Sequence, residues 1–180
     1  MRYQLSAYAL IGAFLLFSSC SNSDTKVADA TTEDSVVTKP VAVQVVLKNG
    51  DAQALYNDYL VVKNALVNSS AEAASSASMT MVRSAVAAGL GTRVIGPLEK
   101  IADSKDLKIQ RQAFTSLNNE LIAYFKKADL TSGKIYIQHC PMANNGDGGD
   151  WLAGESNIRN PYYGDEMMEC GAVIEEIKAK

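Results

Sequence analysis

The chain has 180 residues and carries 17 basic against 20 acidic side chains, a formal net charge of −3. Loss of Arg2 with a signal peptide would leave 16 basic residues and a net charge of −4. A mildly acidic chain without basic clusters lacks the electrostatic footprint of a nucleic-acid-binding protein. We therefore expect no nucleic acid among its partners.

The N-terminus is typical of an export signal. Arg2 supplies a short positive region, and residues 5–17 form an apolar run that is too short for a lasting transmembrane anchor. The following residues, Phe17-Ser-Ser-Cys20, resemble a relaxed form of the lipobox of bacterial lipoproteins, in which the cysteine is acylated. We expect a lipoprotein signal peptide at residues 1–19 and lipidation of Cys20. An ordinary secretory signal with an incidental cysteine is the alternative.

The segment after Cys20 predicts a lipid-anchored protein on a flexible tether. No acidic residue follows Cys20 directly, which by similarity to lipoprotein sorting favours the outer membrane, facing the periplasm. Several acyl chains on Cys20 would hold the protein stably at the membrane. Residues 20–40 are mainly Ser, Thr, Asp and Ala, and such a segment cannot bury enough apolar surface to offset its ordering entropy. Residues 41–180 then form a single domain of ordinary size.

The first part of this domain has the periodicity of helices. Apolar residues at steps of three and four predict an amphipathic helix capped by Asp51, and a break at residues 68–70 precedes a second helix that stops at Gly89 and Gly91. A third, shorter helix follows, and the fourth runs to about Lys127. Because short connections favour antiparallel neighbours, the expected fold class is mainly α, an antiparallel four-helix bundle.

The pattern changes in the last third of the chain. Residues 134–138 alternate apolar and polar side chains and predict a strand. Residues 144–150 have the composition of a turn, and residues 170–177 predict either a closing strand or a helix. We therefore expect a small C-terminal α+β appendage on the bundle.

This appendage carries two groups of metal-ligating side chains. His139, Cys140 and Met142 form the first group, and Met168 and Cys170 form the second. If the fold brings the groups together, one imidazole, two thiolates and thioethers converge. Such a donor set suits Cu(I), while a thiolate-rich subset would suit Zn(II).

A disulfide is the alternative for the two cysteines. Exported proteins fold in an oxidising compartment, where a Cys140–Cys170 bond would close a loop of 30 residues and stabilise the fold by roughly 4 kcal/mol. In this alternative the protein is a structural or interaction module, and the aromatic surface of Trp151, Tyr162 and Tyr163 docks on an envelope protein or, as the family resemblance given below implies, on an efflux adaptor protein. The residues alone leave both alternatives open.

His139 is the least secure of the predicted ligands. Adjacent residues of a strand point to opposite faces, so His139 and Cys140 converge only if Pro141 ends the strand early. The sequence also contains neither G-x-S-x-G nor H-E-x-x-H, and we expect no catalytic residues and no enzyme. A solvent-filled cavity that joins His139 to an acidic residue would be needed to change that expectation.

Several motifs together resemble a bacterial domain of unknown function. They are residues 106–114, His139-Cys-Pro-Met-Ala143, Gly149-Asp-Trp-Leu152, residues 158–164 and Met168-Glu-Cys-Gly171. That domain occurs alone in small lipoproteins of Gram-negative bacteria and fused to periplasmic adaptor subunits of heavy-metal efflux pumps of the resistance-nodulation-division type. The resemblance covers residues 51–177.

The resemblance implies metal handling, with copper foremost and zinc second. It favours the metal alternative over the disulfide, with His139, Cys140, Met142, Met168 and Cys170 as ligands. The implied role is copper sequestration or delivery to an efflux adaptor. Because the domain's own function is not established, this transfer is by association.

Overall fold

The computed structural model describes residues 44–179, so the predicted signal peptide, Cys20 and most of the tether lie outside the described residues. Within residues 44–179 the chain forms four α-helices, which are α1 (Gly50–Val67), α2 (Ala71–Ala87), α3 (Thr92–Asp103) and α4 (Leu107–Phe125). The strands are β1 (Val46–Leu47), β2 (Leu130–Ser132), β3 (Lys134–Cys140), β4 (Gly149–Ala153) and β5 (Ala172–Lys178). In this described part no helix is long and apolar enough to cross a bilayer.

Short polar side chains start three of the helices. Asn49 caps α1 by accepting a hydrogen bond from the backbone N–H of Ala52 at 3.0 Å, and Ser70 caps α2 in the same way. Asp106 caps α4 through the N–H of Lys108 at 2.7 Å. The predicted cap at Asp51 was wrong by two residues, because Asn49 stands just before the first helical residue and reaches the free N–H groups.

Aromatic side chains join α1 to α4. The rings of Tyr59 and Phe114 stack with their centroids 5.7 Å apart, and both side chains are fully buried. The consecutive helices α1, α2, α3 and α4 also pack each on the next. The prediction of a mainly helical chain with a C-terminal α+β part is confirmed.

The C-terminal part is built on an antiparallel sheet with the order β4-β3-β5. The central strand β3 runs through Cys140, two residues beyond the predicted end, so strand alternation applies to His139 and Cys140 after all. In this register His139 is the direct neighbour of Asp150 and Cys140 that of Gly149. Residues 172–178 form a strand rather than a helix, and β4 begins inside the segment predicted as a turn.

Candidate thiol site and polar cavity

The antiparallel pairing of β3 with β5 brings the two cysteines together. Cys140 is the last residue of β3, and Cys170 lies two residues before β5. Their Sγ atoms are 3.1 Å apart, with both thiols free. Cys140 is completely buried and Cys170 is half-buried. The pKa of the Cys170 thiol is raised, mainly by its hydrogen bond with Cys140 and to a lesser extent by burial.

Asn160 holds the segment that carries Cys170. Its buried side chain donates a 2.8 Å hydrogen bond to the carbonyl oxygen of Cys170, and its backbone N–H donates to the carbonyl of Met168 at 2.9 Å. The sequence identifies no role for Asn160 beyond its place in the motif at residues 158–164. An asparagine before a proline was the available signal, since this pair is typical of turns and not specific for a site.

The two predicted thioether ligands are differently placed. Met168 is half-buried in the segment that Asn160 holds. Met142 is 52% exposed, and its carbonyl oxygen accepts a 2.6 Å hydrogen bond from the hydroxyl of Tyr163. Both residues therefore lie within two positions of a cysteine on segments that hydrogen bonds anchor.

His139 has a different partner from the thiols. Its Nδ1 atom lies 2.6 Å from Oδ1 of Asp150, its cross-strand neighbour, and both side chains are about one third exposed. The structure thus unites Cys140 with Cys170 and pairs His139 with a carboxylate that the sequence places in a turn. The strand register that makes Asp150 face His139 depends on tertiary packing, so no local pattern could identify it.

The segment between β3 and β4 packs on the imidazole ring. Asn144 and Asn145 have φ angles of 54° and 62°, and Gly148 has a φ of +82°. A Cβ atom on Gly148 would lie 2.7 Å from Cε1 and 3.2 Å from Nε2 of His139, so only glycine fits beside the ring in this conformation. Asn144 fixes this turn by accepting from Thr115 Oγ1 at 3.1 Å and donating to the carbonyl of Gly148 at 2.7 Å.

A polar cavity of about 840 Å³ opens in front of His139 and Asp150. One wall is a polar face of α4, formed by Lys108, Arg111, Gln112, Thr115, Ser116 and Asn119. Other walls come from residues 144–145 and 147–150, from Tyr162 and Tyr163, and from Glu166. The cavity therefore joins the imidazole to an acidic residue, an arrangement able to bind and orient a polar ligand.

The predicted aromatic docking surface is wrong for two of its three residues. Trp151 is fully buried and Tyr162 is 6% exposed, and their rings meet edge to face at 6.0 Å. Burial raises the pKa of Tyr162 to about 12, and its hydroxyl donates to the carbonyl of Asp150 at 2.8 Å. These rings form the core beneath the sheet because large aromatic surfaces gain most from burial. Only Tyr163 of the three reaches the surface.

The donor set at the thiols is small. Among residues 44–179 no group of three or more His, Cys, Asp or Glu side chains is placed to hold a metal ion. The two cysteine sulfurs would suit a soft ion of low coordination number better than one that requires four hard or borderline ligands.

Comparisons with known proteins bear on the helical part of the chain. Residues 55–133 match the model of a family described as a protein of unknown function, DUF3347. The match ends before β3, so the thiol pair and the cavity residues of β3 and β4 lie beyond it. No curated protein and no solved structure gave a significant match. Over residues 55–133, less than half of its length, the chain is therefore similar to this family of unknown function.

Proposed function

We propose that this protein binds a soft heavy-metal ion, Cu(I) foremost, between the thiolates of Cys140 and Cys170. The observation that supports this proposal is the 3.1 Å separation of the two Sγ atoms, one buried and one half-buried. Two cysteines that are 30 positions apart meet at the end of one sheet, with a methionine within two positions of each. Thiolate and thioether ligands suit soft ions such as Cu(I), although thiolates also bind Zn(II).

The sulfur separation lies between the values for a metal site and a disulfide. Metal–sulfur bonds of about 2.3 Å put two sulfurs of a three-coordinate centre about 4.0 Å apart, whereas a disulfide requires about 2.0 Å. From 3.1 Å the sulfurs would move apart by roughly 0.9 Å to admit a metal ion, or together by roughly 1.1 Å to form the bond. The two changes are similar, so the separation is compatible with both states.

The proposed ligand set depends on the thiol pair and no longer on His139. The imidazole of His139 is held by Asp150, and strand alternation directs it away from Cys140. Met168 and Met142 remain as thioether ligands. Zinc is less favoured, because structural zinc sites are closed by four N, S or O ligands and the described residues offer no such cluster.

We further propose that acylated Cys20 anchors the protein at the outer membrane, facing the periplasm, where it sequesters copper or delivers it to an efflux adaptor. The scaffold is an antiparallel four-helix bundle, a geometry favoured by the short connections between helices. Labelling with a radioactive fatty acid tests the anchor. Label should enter the wild-type chain and be absent after Cys20→Ser; equal labelling of both would contradict it.

The metal proposal is tested by anaerobic competition of the reduced full chain for Cu(I) against a chromophoric chelator. We expect one Cu(I) per chain and loss of binding in Cys140→Ser/Cys170→Ser. His139→Ala is the matched control, and it should retain the affinity within about threefold, equivalent to roughly 0.7 kcal/mol. Unchanged binding in the double cysteine variant would refute the proposal.

A disulfide-stapled structural module is the second candidate function. The absence of a larger metal-ligand cluster within residues 44–179 favours it, as do two thiols already within 3.1 Å. Counting free thiols at positions 140 and 170 on protein taken directly from the cell envelope separates the candidates. Blocked thiols without metal support the staple, and reactive thiols or bound copper support the metal site.

A further inference from the structure

The imidazole of His139 is held in one orientation with one nitrogen left available. Asp150 accepts or shares the proton of Nδ1 at 2.6 Å, and Nε2 makes no hydrogen bond with any residue of the described chain. In the neutral ring, a carboxylate on Nδ1 makes Nε2 the acceptor nitrogen. The negative charge of Asp150 behind the ring further favours a cationic donor at Nε2.

Gly148 keeps the Nε2 edge of the ring open. A side chain at this position would lie against Cε1 and Nε2, at 2.7 and 3.2 Å. The left-handed residues Asn144 and Asn145, together with the hydrogen bond from Thr115, hold the turn in the conformation that puts Gly148 there. Asparagine is one of the few non-glycine residues that adopt this left-handed conformation readily.

Arg111 presents a cationic group to the same cavity from α4. Its Nε donates to the carbonyl of Pro161 at 3.0 Å, and its Nη2 donates to Leu66 and Ser69. These bonds fix the guanidinium plane and leave Nη1 without a hydrogen bond to the residues that the structure describes. Arg111 is half-buried, so its charge is less screened than that of an exposed side chain.

The cavity therefore has a fixed cation on one wall and a carboxylate-backed acceptor on another. Amide side chains also line the cavity, among them the exposed side chains of Gln112, Asn119 and Asn145. Lys108, Asp147 and Glu166 also line the cavity and are exposed. Burial lowers the pKa of Arg111, and the charge of Glu166 acts on Arg111 in the opposite direction. A ligand that matches these walls carries a carboxylate, an ammonium group and hydrogen-bonding amides.

We propose that this cavity binds a short peptide with free termini, independently of the thiol pair. The peptide carboxylate pairs with Nη1 of Arg111, its ammonium donates to Nε2 of His139, and its amides bond to the asparagine and glutamine side chains. The volume of about 840 Å³ is large enough for a short peptide. It lies within the range of roughly 300–1,000 Å³ typical of pockets that enclose drug-sized ligands.

The test uses tri-alanine as the probe and the full chain as the receptor. His139 is the sole histidine of the sequence, so its ring signals in a ¹H–¹⁵N spectrum report on this cavity alone. Tri-alanine should shift these signals saturably. N-acetylated and C-amidated tri-alanine, which lack the ammonium and the carboxylate respectively, should each bind about tenfold more weakly. No saturable shift, or equal binding of the capped peptides, would overturn the proposal.

Two glycine variants of one turn test the position of the imidazole. Gly148→Ala puts a methyl group against the ring, whereas Gly146→Ala, with a φ of +100°, meets no atom within 4 Å. Both variants carry similar backbone strain, so the affinity for tri-alanine, measured by calorimetry, should fall about tenfold only in Gly148→Ala. Equal affinities would exclude a role for the ring.

Two further variants cover other outcomes. Circular dichroism will show whether Gly148→Ala folds, and if it does not, His139→Phe replaces it as the test. This variant keeps an aromatic ring but has no acceptor nitrogen, so its affinity for tri-alanine should fall by the same factor. Retained affinity would overturn the proposal. Cys140→Ser/Cys170→Ser should bind tri-alanine as the wild type does. Loss of peptide binding in that folded double variant would contradict the independence of the two sites.

Discussion

The hydroxyl of Tyr59 donates a 2.7 Å hydrogen bond to Oδ1 of Asn118, which joins the middle of α1 to the middle of α4. The same hydroxyl accepts a 2.9 Å bond from the backbone N–H of Leu152 in β4. The amide of Asn118 is in turn 3.4 Å from the hydroxyl of Tyr162, which donates to Asp150. A buried polar network thus runs from the helices to the strand that carries the partner of His139.

Removing the Tyr59 hydroxyl should destabilise the fold. Tyr59→Phe leaves Oδ1 of Asn118 and the N–H of Leu152 buried without that partner, and each such group costs about 1–3 kcal/mol. We expect the free energy of unfolding, measured in urea, to fall by about 2–4 kcal/mol. Tyr136→Phe is the control, because the hydroxyl of half-buried Tyr136 makes no hydrogen bond within residues 44–179, and it should lie within about 0.5 kcal/mol of the wild type. Equal effects would contradict a role for the network.

Stability should fall steeply in alkaline solution. Burial raises the pKa of Tyr59 and raises that of Tyr162 to about 12 from 10.0. A phenol whose folded pKa exceeds its unfolded pKa contributes stability that is complete below pH 10 and is lost as pH rises toward the folded pKa. For Tyr162 this contribution is about 2–3 kcal/mol. Urea unfolding between about pH 7 and 12 should show a smaller alkaline loss in Tyr162→Phe. Below about pH 9 the free energy of unfolding of both proteins should change little with pH, which provides the internal control. An identical alkaline slope in the wild type and Tyr162→Phe would refute the prediction.

Gly164 should tolerate no side chain. Its φ is +60°, and a Cβ atom there would collide with Oγ of Ser69 and lie 2.8 Å from the carbonyl oxygen of Val67. Gly89, with a φ of +74°, would have no atom within 4 Å of an added methyl group and serves as the matched control. Gly89→Ala should lower the free energy of unfolding by about 1 kcal/mol through backbone strain. Gly164→Ala, which adds the collision, should lower it by at least about 3 kcal/mol. Thermal unfolding provides the measurement, and similar losses would show that the turn can relax.

The two partners of the Lys63–Glu155 ion pair should respond unequally to neutralisation. Lys63 is 1% exposed and Glu155 is 43% exposed, with Nζ 3.2 Å from Oε1. Burial lowers the pKa of Lys63, so the ammonium depends on its carboxylate partner. Glu155→Gln leaves the buried ammonium of Lys63 without its carboxylate partner. The free energy of unfolding should fall by about 1–3 kcal/mol, which is less than for a fully buried pair. Lys63→Met should change stability by less than about 1 kcal/mol. Urea unfolding measures both, and equal losses would contradict the asymmetry.

The helical part of this protein could be predicted because its signals are local. Apolar residues at steps of three and four fall on one face of each helix, and a polar residue just before the helix caps it. Even so, Asn49 rather than Asp51 caps α1, since neighbouring cap candidates differ only in backbone geometry at the helix start. The change to a small sheet after residue 133 was equally visible, because alternation and turn residues are also local.

The site required the register of the sheet. The sequence identified Cys140 and Cys170 as partners by their chemistry, and the pairing of β3 with β5 decides that their sulfurs meet. Because β3 continues for two residues beyond its predicted end, His139 faces Asp150 and the cavity beside α4. The type of each residue gives the chemistry of its side chain, and this can be read locally. The face on which a strand residue lies and the residue it pairs with depend on long-range burial, because a register shift of one residue would move every side chain of the strand to the other face.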